Sequence, residues 1–427
     1  MSSNGSVPST CDVAIIGAGP AGLAAACALR EAGVGVVVVL DREPEAGGIP
    51  RHCGHYPFGL REFHRLLKGP ELARRLVAKA VQSGAVICTG VTVAALRPGP
   101  ELVVTGSSGI RTLRARRVIL ATGVRETSRA GRLIGGTKPG GILPTGALQG
   151  LVYLEGRRPF SRPVILGTEL VSFSALLTCR HAGIKPVAMI EQQSRPTAWK
   201  VAPLLPRLLG IPVLFNTTVR AIWGRDRVSG VEVETAGERR TIEADGVIVS
   251  GQFRPESSLL DESPVVRDPG TLGPQVDQYG RCSAAGYFAA GNVLRPVETA
   301  GWSWQEGCRL GAAVAQDLAA ALPPFSPQQD VTLVCDHPAL RYVMPQRVTP
   351  FSLHKGTGLV ELQVRVRRPV NGVLSLVLLE DGATQGRVLW EQTLKALPER
   401  RILVPLRALL AVPAGARVAL RLIEKAA

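Results

Sequence analysis

Apolar residues fall along this chain in two rhythms. Through most of its length, short unbroken apolar runs alternate with longer stretches in which apolar residues recur every three or four positions. Val13-Ala14-Ile15-Ile16 and Val36 to Leu40 are runs of the first kind, and the Ala-rich stretch from Pro20 to Glu31 lies between them. A short apolar run bounded by turn residues predicts a strand buried on both faces. Strand–helix–strand alternation predicts a parallel sheet. The second rhythm begins after Leu322-Pro323-Pro324-Phe325-Ser326-Pro327. There Val360, Leu362, Val364 and Val366 alternate with Glu361, Gln363, Arg365 and Arg367, and Val418, Leu420 and Leu422 repeat the pattern. Period two predicts antiparallel strands with one wet face. Turns are expected at Asn371-Gly372 and Asp381-Gly382, and residues 328–427 read as a small β-sandwich with a docking or interface role.

The first rhythm is itself duplicated. Asp12 to Gly22 and Pro163 to Ser172 both read as a strand running into a helix. Gly33, a strand and Asp41 follow the first; Gly183, the strand Val187 to Ile190 and Glu191 follow the second. Each half continues with short strands and turn signals, over Val91 to Arg114 and Val219 to Ile242. Each closes with an apolar strand ending in glycine, Ala121-Thr122-Gly123 and Val249-Ser250-Gly251. The repeat predicts an α/β chain with two Rossmann-like dinucleotide-binding domains, the second inserted in the first.

Only the first copy carries the full G-x-G-x-x-G. Gly17 permits the tight turn out of the strand, Gly19 lets a pyrophosphate approach the backbone, and Gly22 lets the helix pack on the strand. Pro20 suits the first helical turn, where its missing N–H costs nothing, and Ala21 follows it. The helix N-terminus then points free N–H groups at the phosphates. Asp41, followed by Arg42, lies about 20 residues on, where a carboxylate accepts from ribose hydroxyls. In the second copy Glu169 replaces the middle glycine and Ser172 the last. A carboxylate at 169 would repel phosphates at short range, which argues against NAD(P)H in the second domain.

Two further segments favour FAD in the first domain: the strand ending in Thr122-Gly123, and the late strand Gly286 to Asn292 ending in Gly291-Asn292. A helix is expected from Ser303 to Ala320. Trp302 and Trp304 just before it are either pocket-lining or core aromatics. Asn292 stands where flavoproteins of this kind commonly carry Asp, and its amide can bond a hydroxyl without charge.

Charge and cysteines trim the alternatives. The chain has 427 residues and a formal net charge of +16, but its aromatic content is 4 %. The basic clusters at Arg114, Arg116 and Arg117 and at Arg365, Arg367 and Arg368 lack interleaved aromatics, which argues against nucleic acid. The charge is compatible with an acidic substrate, an acidic partner or peripheral contact with anionic lipid. No apolar run approaches a membrane span, and Met1 to Thr10 lacks a signal-type core, so a cytoplasmic chain is expected. The eight cysteines form no C-x-x-C or C-x4-C pair, which speaks against a dithiol cycle, an iron–sulfur site and a structural zinc; no metal is expected.

The segment Gly47-Gly48-Ile49-Pro50-Arg51-His52-Cys53-Gly54-His55-Tyr56-Pro57-Phe58-Gly59 reads as a loop held by its surroundings. Cys53 and His55 are the catalytic candidates there, as a flavin-tuning thiol and a proton-accepting imidazole. The alternative is a buried thiol and a histidine bonded to backbone.

The Gly47-Gly48, Cys53-Gly54-His55, Phe58-Gly59-Leu60, Gly69-Pro70-Glu71, Ala121-Thr122-Gly123-Val124-Arg125-Glu126 and Gly291-Asn292-Val293-Leu294 segments together resemble a group of bacterial FAD-dependent oxidoreductases. They belong to the two-dinucleotide-binding-domain, pyridine nucleotide-disulfide reductase-like superfamily and accompany a glycerol-3-phosphate dehydrogenase-like flavoprotein. More distantly, the chain is similar to subunits of opine oxidases, hydroxyproline dehydrogenases and hydrogen cyanide synthase. The resemblance implies one FAD and a dehydrogenase acting on an amine, amino acid or hydroxy compound. It equally implies the flavin subunit of a multi-subunit dehydrogenase that passes electrons to a second flavoprotein, another acceptor subunit or a quinone. The alternatives are an NAD(P)H-dependent flavin reductase and a non-catalytic electron-transfer or scaffold subunit. The expected boundaries are 1–125 with 252–327 for the FAD domain, 126–251 for the degenerate domain and 328–427 for the β domain.

Overall fold

A computed structural model describes residues 7–198, 201–296, 298–349, 358–379 and 386–425. The residues divide into two compact units. One holds Met1–Gly48, Ala73–Val124 and Pro255–Ala427, and the other Ile49–Leu72 and Arg125–Arg254. The Cys53–His55 segment therefore folds with the second repeat, where the sequence boundaries had grouped it with the first.

In the first unit, parallel strands run in the order Val86–Thr89, Val37–Asp41, Thr10–Ile16 and then the far half of Gly109–Leu120, with Tyr287–Ala289 pairing on its other side. The register sets Ile16 opposite both Leu40 and Leu120, so the three strands end level. The near half of Gly109–Leu120 turns antiparallel and pairs with Glu101–Gly106, which pairs with Thr92–Arg97. Apolar side chains on both faces of these strands, including Ala14, Leu40, Val118 and Tyr287, are buried, as the unbroken runs demand. Helix Pro20–Glu31 packs on helix Ala300–Leu318 along a seam of small residues. A Cβ on Gly311 would stand 2.7 Å from the Ala25 carbonyl oxygen, and one on Gly307 would lie 2.7 Å from Ala24 Cβ.

The C-terminal strands of the same unit form a sandwich. A five-stranded sheet orders Arg347–Val348, Val331–Cys335, Arg417–Glu424, Val370–Leu379 and Arg387–Ala396; a three-stranded sheet orders Leu340–Met344, Glu361–Val366 and Ile402–Pro405. Leu362, Val364, Val366, Val418, Leu420 and Leu422 all point into the shared core. Asn371-Gly372 is not the expected turn. Both residues lie inside strand Val370–Leu379, where Gly372 pairs with Glu424 and its missing Cβ leaves room for the Glu424 backbone; a Cβ there would stand 3.1 Å from Glu424 Cα. The chain bends instead at Arg367-Arg368-Pro369. The expected turn at Asp381-Gly382 falls outside the described residues.

The second unit repeats the plan. Its parallel strands run Val213–Leu214, Ala188–Ile190, Pro163–Leu166, Gly246–Val249 and Ile142–Pro144. An antiparallel set of Thr217–Gly224, Val228–Thr235 and Glu238–Glu243 matches the meander of the first unit. The repeat legible in the sequence is thus a repeat of topology.

Candidate functional site

Ligands of open parallel sheets bind beyond the carboxyl ends of the strands, where strand order reverses. In the first unit that point lies between Thr10–Ile16 and Gly109–Leu120, and the glycine turn fills it. Gly17 has φ +111°, a conformation that favours glycine, and its own backbone is pressed against Ala121. A methyl on Gly22 would overlap the Gly17 carbonyl and stand 3.2 Å from Ile15 Cγ2. Gly19 is different: nothing lies within 4 Å of the place its Cβ would take. Helix Pro20–Glu31 starts there with no side-chain cap and no acid in its first turn, and with Pro20 leading it. Open space, free N–H groups and no competing carboxylate together suit a pyrophosphate.

The neighbouring residues complete this cradle. Asp41 accepts from the Ala18 N–H at 2.7 Å and from the Glu43 N–H at 2.9 Å, so the acid and the turn hold each other. Burial pushes the Asp41 carboxyl up from its ordinary value, against those two bonds. Each oxygen keeps a lone pair for a ribose hydroxyl; Arg42 beside it is exposed. The Gly47 N–H donates to the Ala18 carbonyl at 2.9 Å, and a Cβ on Gly48 would lie 2.8 Å from Gly19 Cα. Thr122 donates to the Glu256 carbonyl at 2.6 Å while the Glu256 N–H returns to Gly123 at 2.9 Å. Gly291, at φ +79°, abuts Ala21; a Cβ there would stand 2.7 Å from Ala21 Cβ. The first unit therefore brings Gly17, Gly19, Pro20, Ala21, Gly22, Asp41, Gly48, Thr122, Gly123 and Gly291 around one crevice, and these residues fit the ADP half of FAD.

Asn292 behaves otherwise than its amide suggested. Its Nδ2 donates to the Glu298 carbonyl at 3.0 Å and its Oδ1 accepts from the Glu298 N–H at 2.7 Å. The side chain ties down its own loop. Trp304 is buried with Lys79 5.3 Å from its ring centre, and Arg401 stacks on Trp302 at 4.5 Å.

The matching crevice of the second unit is occupied by its own side chains. Gly167 at φ +100° and Gly251 at φ +77° reproduce Gly17 and Gly123. Glu169, however, swings its carboxylate between the strand ends and accepts from the Gln252 N–H at 2.7 Å; a Cβ on Gly251 would stand 2.5 Å from its carboxyl carbon. Burial pushes the Glu169 carboxyl up, with the Gln252 bond and the Arg132 charge pulling against it. Ser172, in place of the third glycine, is fully buried and accepts from Ser250 Oγ at 3.0 Å. Glu191, the counterpart of Asp41, is also taken: Thr168 donates to it, and the Gln193 N–H reaches its other oxygen at 3.0 Å.

Cys53 and His55 sit in that second unit. The Cys53 thiol is buried, donating toward the Ile49 carbonyl at 3.4 Å and Gln149 Oε1 at 3.5 Å. Burial pushes it up to about 12, so it is held as the neutral thiol. His55 Nδ1 bonds the Tyr56 carbonyl at 2.8 Å, which places the proton on Nδ1 and leaves the buried Nε2 as an acceptor with no partner.

Sequence reasoning missed the buried pair Arg295–Glu306. Glu306 Oε2 accepts from the Gly291 N–H at 3.1 Å, and Arg295, fully buried, binds both Glu306 oxygens. The available signal was a lone acid on the apolar stretch Ala300–Leu318 with an arginine just past Gly291-Asn292.

An open nucleotide crevice and a filled copy of it, each on a parallel sheet with its own meander, define a two-dinucleotide-domain oxidoreductase. The chain belongs to the pyridine nucleotide-disulphide oxidoreductase family, whose model matches residues 11–307. It is 33 % identical to the A subunit of opine oxidase from Rhizobium meliloti (strain 1021) over 181 residues, covering 42 % of this chain and 38 % of that protein. With the corresponding opine oxidase subunit of another Rhizobium meliloti strain it shares 26 % identity over 356 residues, 74 % of this chain and 66 % of the relative. The alpha subunit of sarcosine oxidase from Rhizobium meliloti (strain 1021) is 26 % identical over 57 % of this chain and 24 % of its own length. The chain thus spans from about a quarter to just under two thirds of these relatives. Among solved structures, T. acidophilum thioredoxin reductase superposes with a TM-score of 0.61 at 25 % identity, covering 73 % of this chain and 100 % of that one. Here all eight cysteines are free. Among the described residues no helix is long and apolar enough to cross a membrane.

Proposed function

We propose that this chain is an FAD-dependent dehydrogenase, or the flavin-bearing subunit of one, that oxidises a C–H bond next to an amine or hydroxyl and passes the electrons to a partner subunit or quinone. The observation that carries this reading is the contrast between the crevices: Gly19 opens onto free space, while Glu169 fills the equivalent place. FAD, when bound, supplies the two-electron acceptor. The chain's part is to hold the pyrophosphate on the Gly17–Gly22 turn and the ribose on Asp41. Cys53 and His55 are proposed as the residues that tune the redox centre and take a proton, His55 through Nε2. The relatives named as subunits of opine oxidase and sarcosine oxidase support an amine-type substrate and a partner subunit. A cytoplasmic location, with peripheral membrane contact allowed, belongs to the same reading.

The second reading is an NAD(P)H-dependent flavin reductase, favoured by the family's name and by 27 % identity to a glutamate synthase [NADPH] small chain of Halomonas elongata. The test is anaerobic stopped-flow at the flavin absorption band, with the chain alone and with a co-purified partner. Amino-acid or hydroxy-acid substrates should bleach the band and NADH or NADPH should not. Fast bleaching by either nicotinamide would reverse the assignment. A chain that gains no flavin spectrum on incubation with FAD would remove both.

A further inference from the structure

The late strand Tyr287–Ala289 delivers Gly291 to the side of the glycine-turn helix, against Ala21. What fixes Gly291 there comes from the C-terminal sandwich. Strand Glu361–Val366 buries Leu362, Val364 and Val366 in the sandwich core, so the intervening Gln363 and Arg365 emerge on its other face. Gln363 Oε1 accepts from Arg295 Nε at 2.9 Å. Arg295 holds Glu306, and Glu306 accepts the Gly291 N–H at 3.1 Å. Arg365 donates to Glu298 Oε1 at 3.3 Å, and Arg401, just before strand Ile402–Pro405, stands 3.6 Å from the same oxygen. The Glu298 backbone is in turn gripped at both its N–H and its carbonyl by the Asn292 side chain. Two chains of polar contacts therefore run from one strand face of the sandwich to consecutive residues, Gly291 and Asn292.

The polar groups along this route are almost out of water. The side chain of Arg295 is 0 % exposed, and those of Glu306, Glu298 and Arg365 are 10 %, 6 % and 11 % exposed. A buried ion pair of this kind adds little net stability over an apolar replacement, but it fixes geometry and is costly to break from one side.

We infer that the C-terminal sandwich is a clamp on the flavin cradle, with Gln363, Arg295 and Glu306 as positioning residues that hold the Gly291 N–H and backbone in the cofactor-ready conformation. The inference rests on FAD binding in the Gly17–Gly22 crevice. Without the clamp, the Gly291–Asn292 turn must be ordered by the cofactor itself. Fixing one or two backbone residues costs about 1–2 kcal/mol each, so FAD should bind roughly tenfold to a hundredfold more weakly.

The test uses the full chain with Gln363→Leu, Gln363→Glu and, on the second route, Arg401→Gln. For each, FAD affinity is measured by fluorescence titration, together with the flavin absorption envelope, the midpoint potential and the melting temperature of the apoprotein. Gln363→Leu should weaken FAD about tenfold or more and alter the flavin spectrum or potential. Gln363→Glu keeps an acceptor for Arg295 and should restore wild-type values. Arg401→Gln, at a partly exposed site that leaves Arg365 on Glu298, should fold normally and give a smaller shift of the same sign. Should Gln363→Leu bind FAD as wild type does, with spectrum and potential unchanged, the clamp is refuted and the sandwich is only attached. The clamp is equally refuted if Gln363→Leu loses fold and Arg401→Gln moves neither affinity nor potential. If wild-type protein itself takes no FAD, the cofactor assignment fails, and the clamp falls with it.

Discussion

Gly19 and Gly22 are three residues apart and make opposite predictions. Gly19 lies at φ −83° and ψ −176°, extended backbone that any residue adopts, and its Cβ position is empty to 4 Å. Gly19→Val should leave the apoprotein's stability within about 0.5 kcal/mol of wild type, because the change removes no contact and only stiffens the unfolded chain. Yet the isopropyl group would occupy the space a pyrophosphate needs to reach the turn. Losing two charge-assisted backbone bonds, at about 1.5–3 kcal/mol each, amounts to roughly 3–6 kcal/mol, or about two to four orders of magnitude in Kd. Gly22→Ala puts its methyl into the Gly17 carbonyl and 3.2 Å from Ile15 Cγ2, with backbone on both sides that cannot give. That overlap should cost about 1–3 kcal/mol of stability and lower the melting temperature of apoprotein and complex alike. Thermal melts of the apoproteins and FAD titrations by fluorescence separate the two. A Gly19→Val chain that retains FAD at wild-type affinity would show that the cofactor does not use this turn. A Gly19→Val chain that melts as early as Gly22→Ala would show that the open space at residue 19 is not there.

Burial raises the Glu169 carboxyl in the folded state, so its contribution to stability is fully present below the ordinary carboxylate value and is lost as pH rises through the raised one. Glu169→Gln keeps an acceptor for the Gln252 N–H without the charge; urea melts should show a smaller loss of stability between pH 4.5 and neutrality than wild type, and an unchanged pH profile would contradict the burial. Because the Cys53 thiol is pushed up to about 12, iodoacetamide should label it in the native state far more slowly than in urea, and Cys53→Ser should retain FAD while shifting potential or substrate reduction rate. His55→Ala should remove a titration from the pH dependence of flavin reduction if Nε2 takes the proton; identical profiles for variant and wild type would leave that imidazole a structural group.

Most of the architecture was legible because it is written in local rules. Unbroken runs such as Val13 to Ile16 became strands buried on both faces, the duplicated order of strand, turn and acid became two copies of one sheet plan, and the alternation of Leu362, Val364 and Val366 became one wall of a sandwich. Asn371-Gly372 misled because the pair is a strong turn signal only when the chain is free to reverse there. Between two partner strands the same glycine serves close backbone approach, and the bend moved to Arg367-Arg368-Pro369. The small-residue seam of Gly307 and Gly311 on Ala24 and Ala25 could have been read from their spacing of four. The Arg295–Glu306–Gln363 contacts could not, since they join residues up to 68 positions apart through side chains whose types say only that each needs a partner.

The two crevices also show why a motif is better judged by what fills the space than by which letters remain. The second repeat keeps both left-handed glycines, Gly167 and Gly251, so its backbone still makes the turn. What changed is satisfaction of the polar groups. Glu169 takes the Gln252 N–H, Ser172 takes the Ser250 hydroxyl, and Thr168 takes Glu191. Each donor or acceptor that a dinucleotide would engage there already has a partner, and displacing one leaves a buried polar group unpaired at about 1–3 kcal/mol. A single Glu169→Gly replacement therefore should not restore nicotinamide binding, because Glu191 and Ser172 stay engaged. Restoring Gly at 172 as well and freeing Glu191 with Thr168→Ala should be needed together. Titration of the single and triple variants with NADPH, read by quenching of its fluorescence, decides the point. Binding recovered by Glu169→Gly alone would mean that the carboxylate was the sole obstacle and that the remaining contacts rearrange freely.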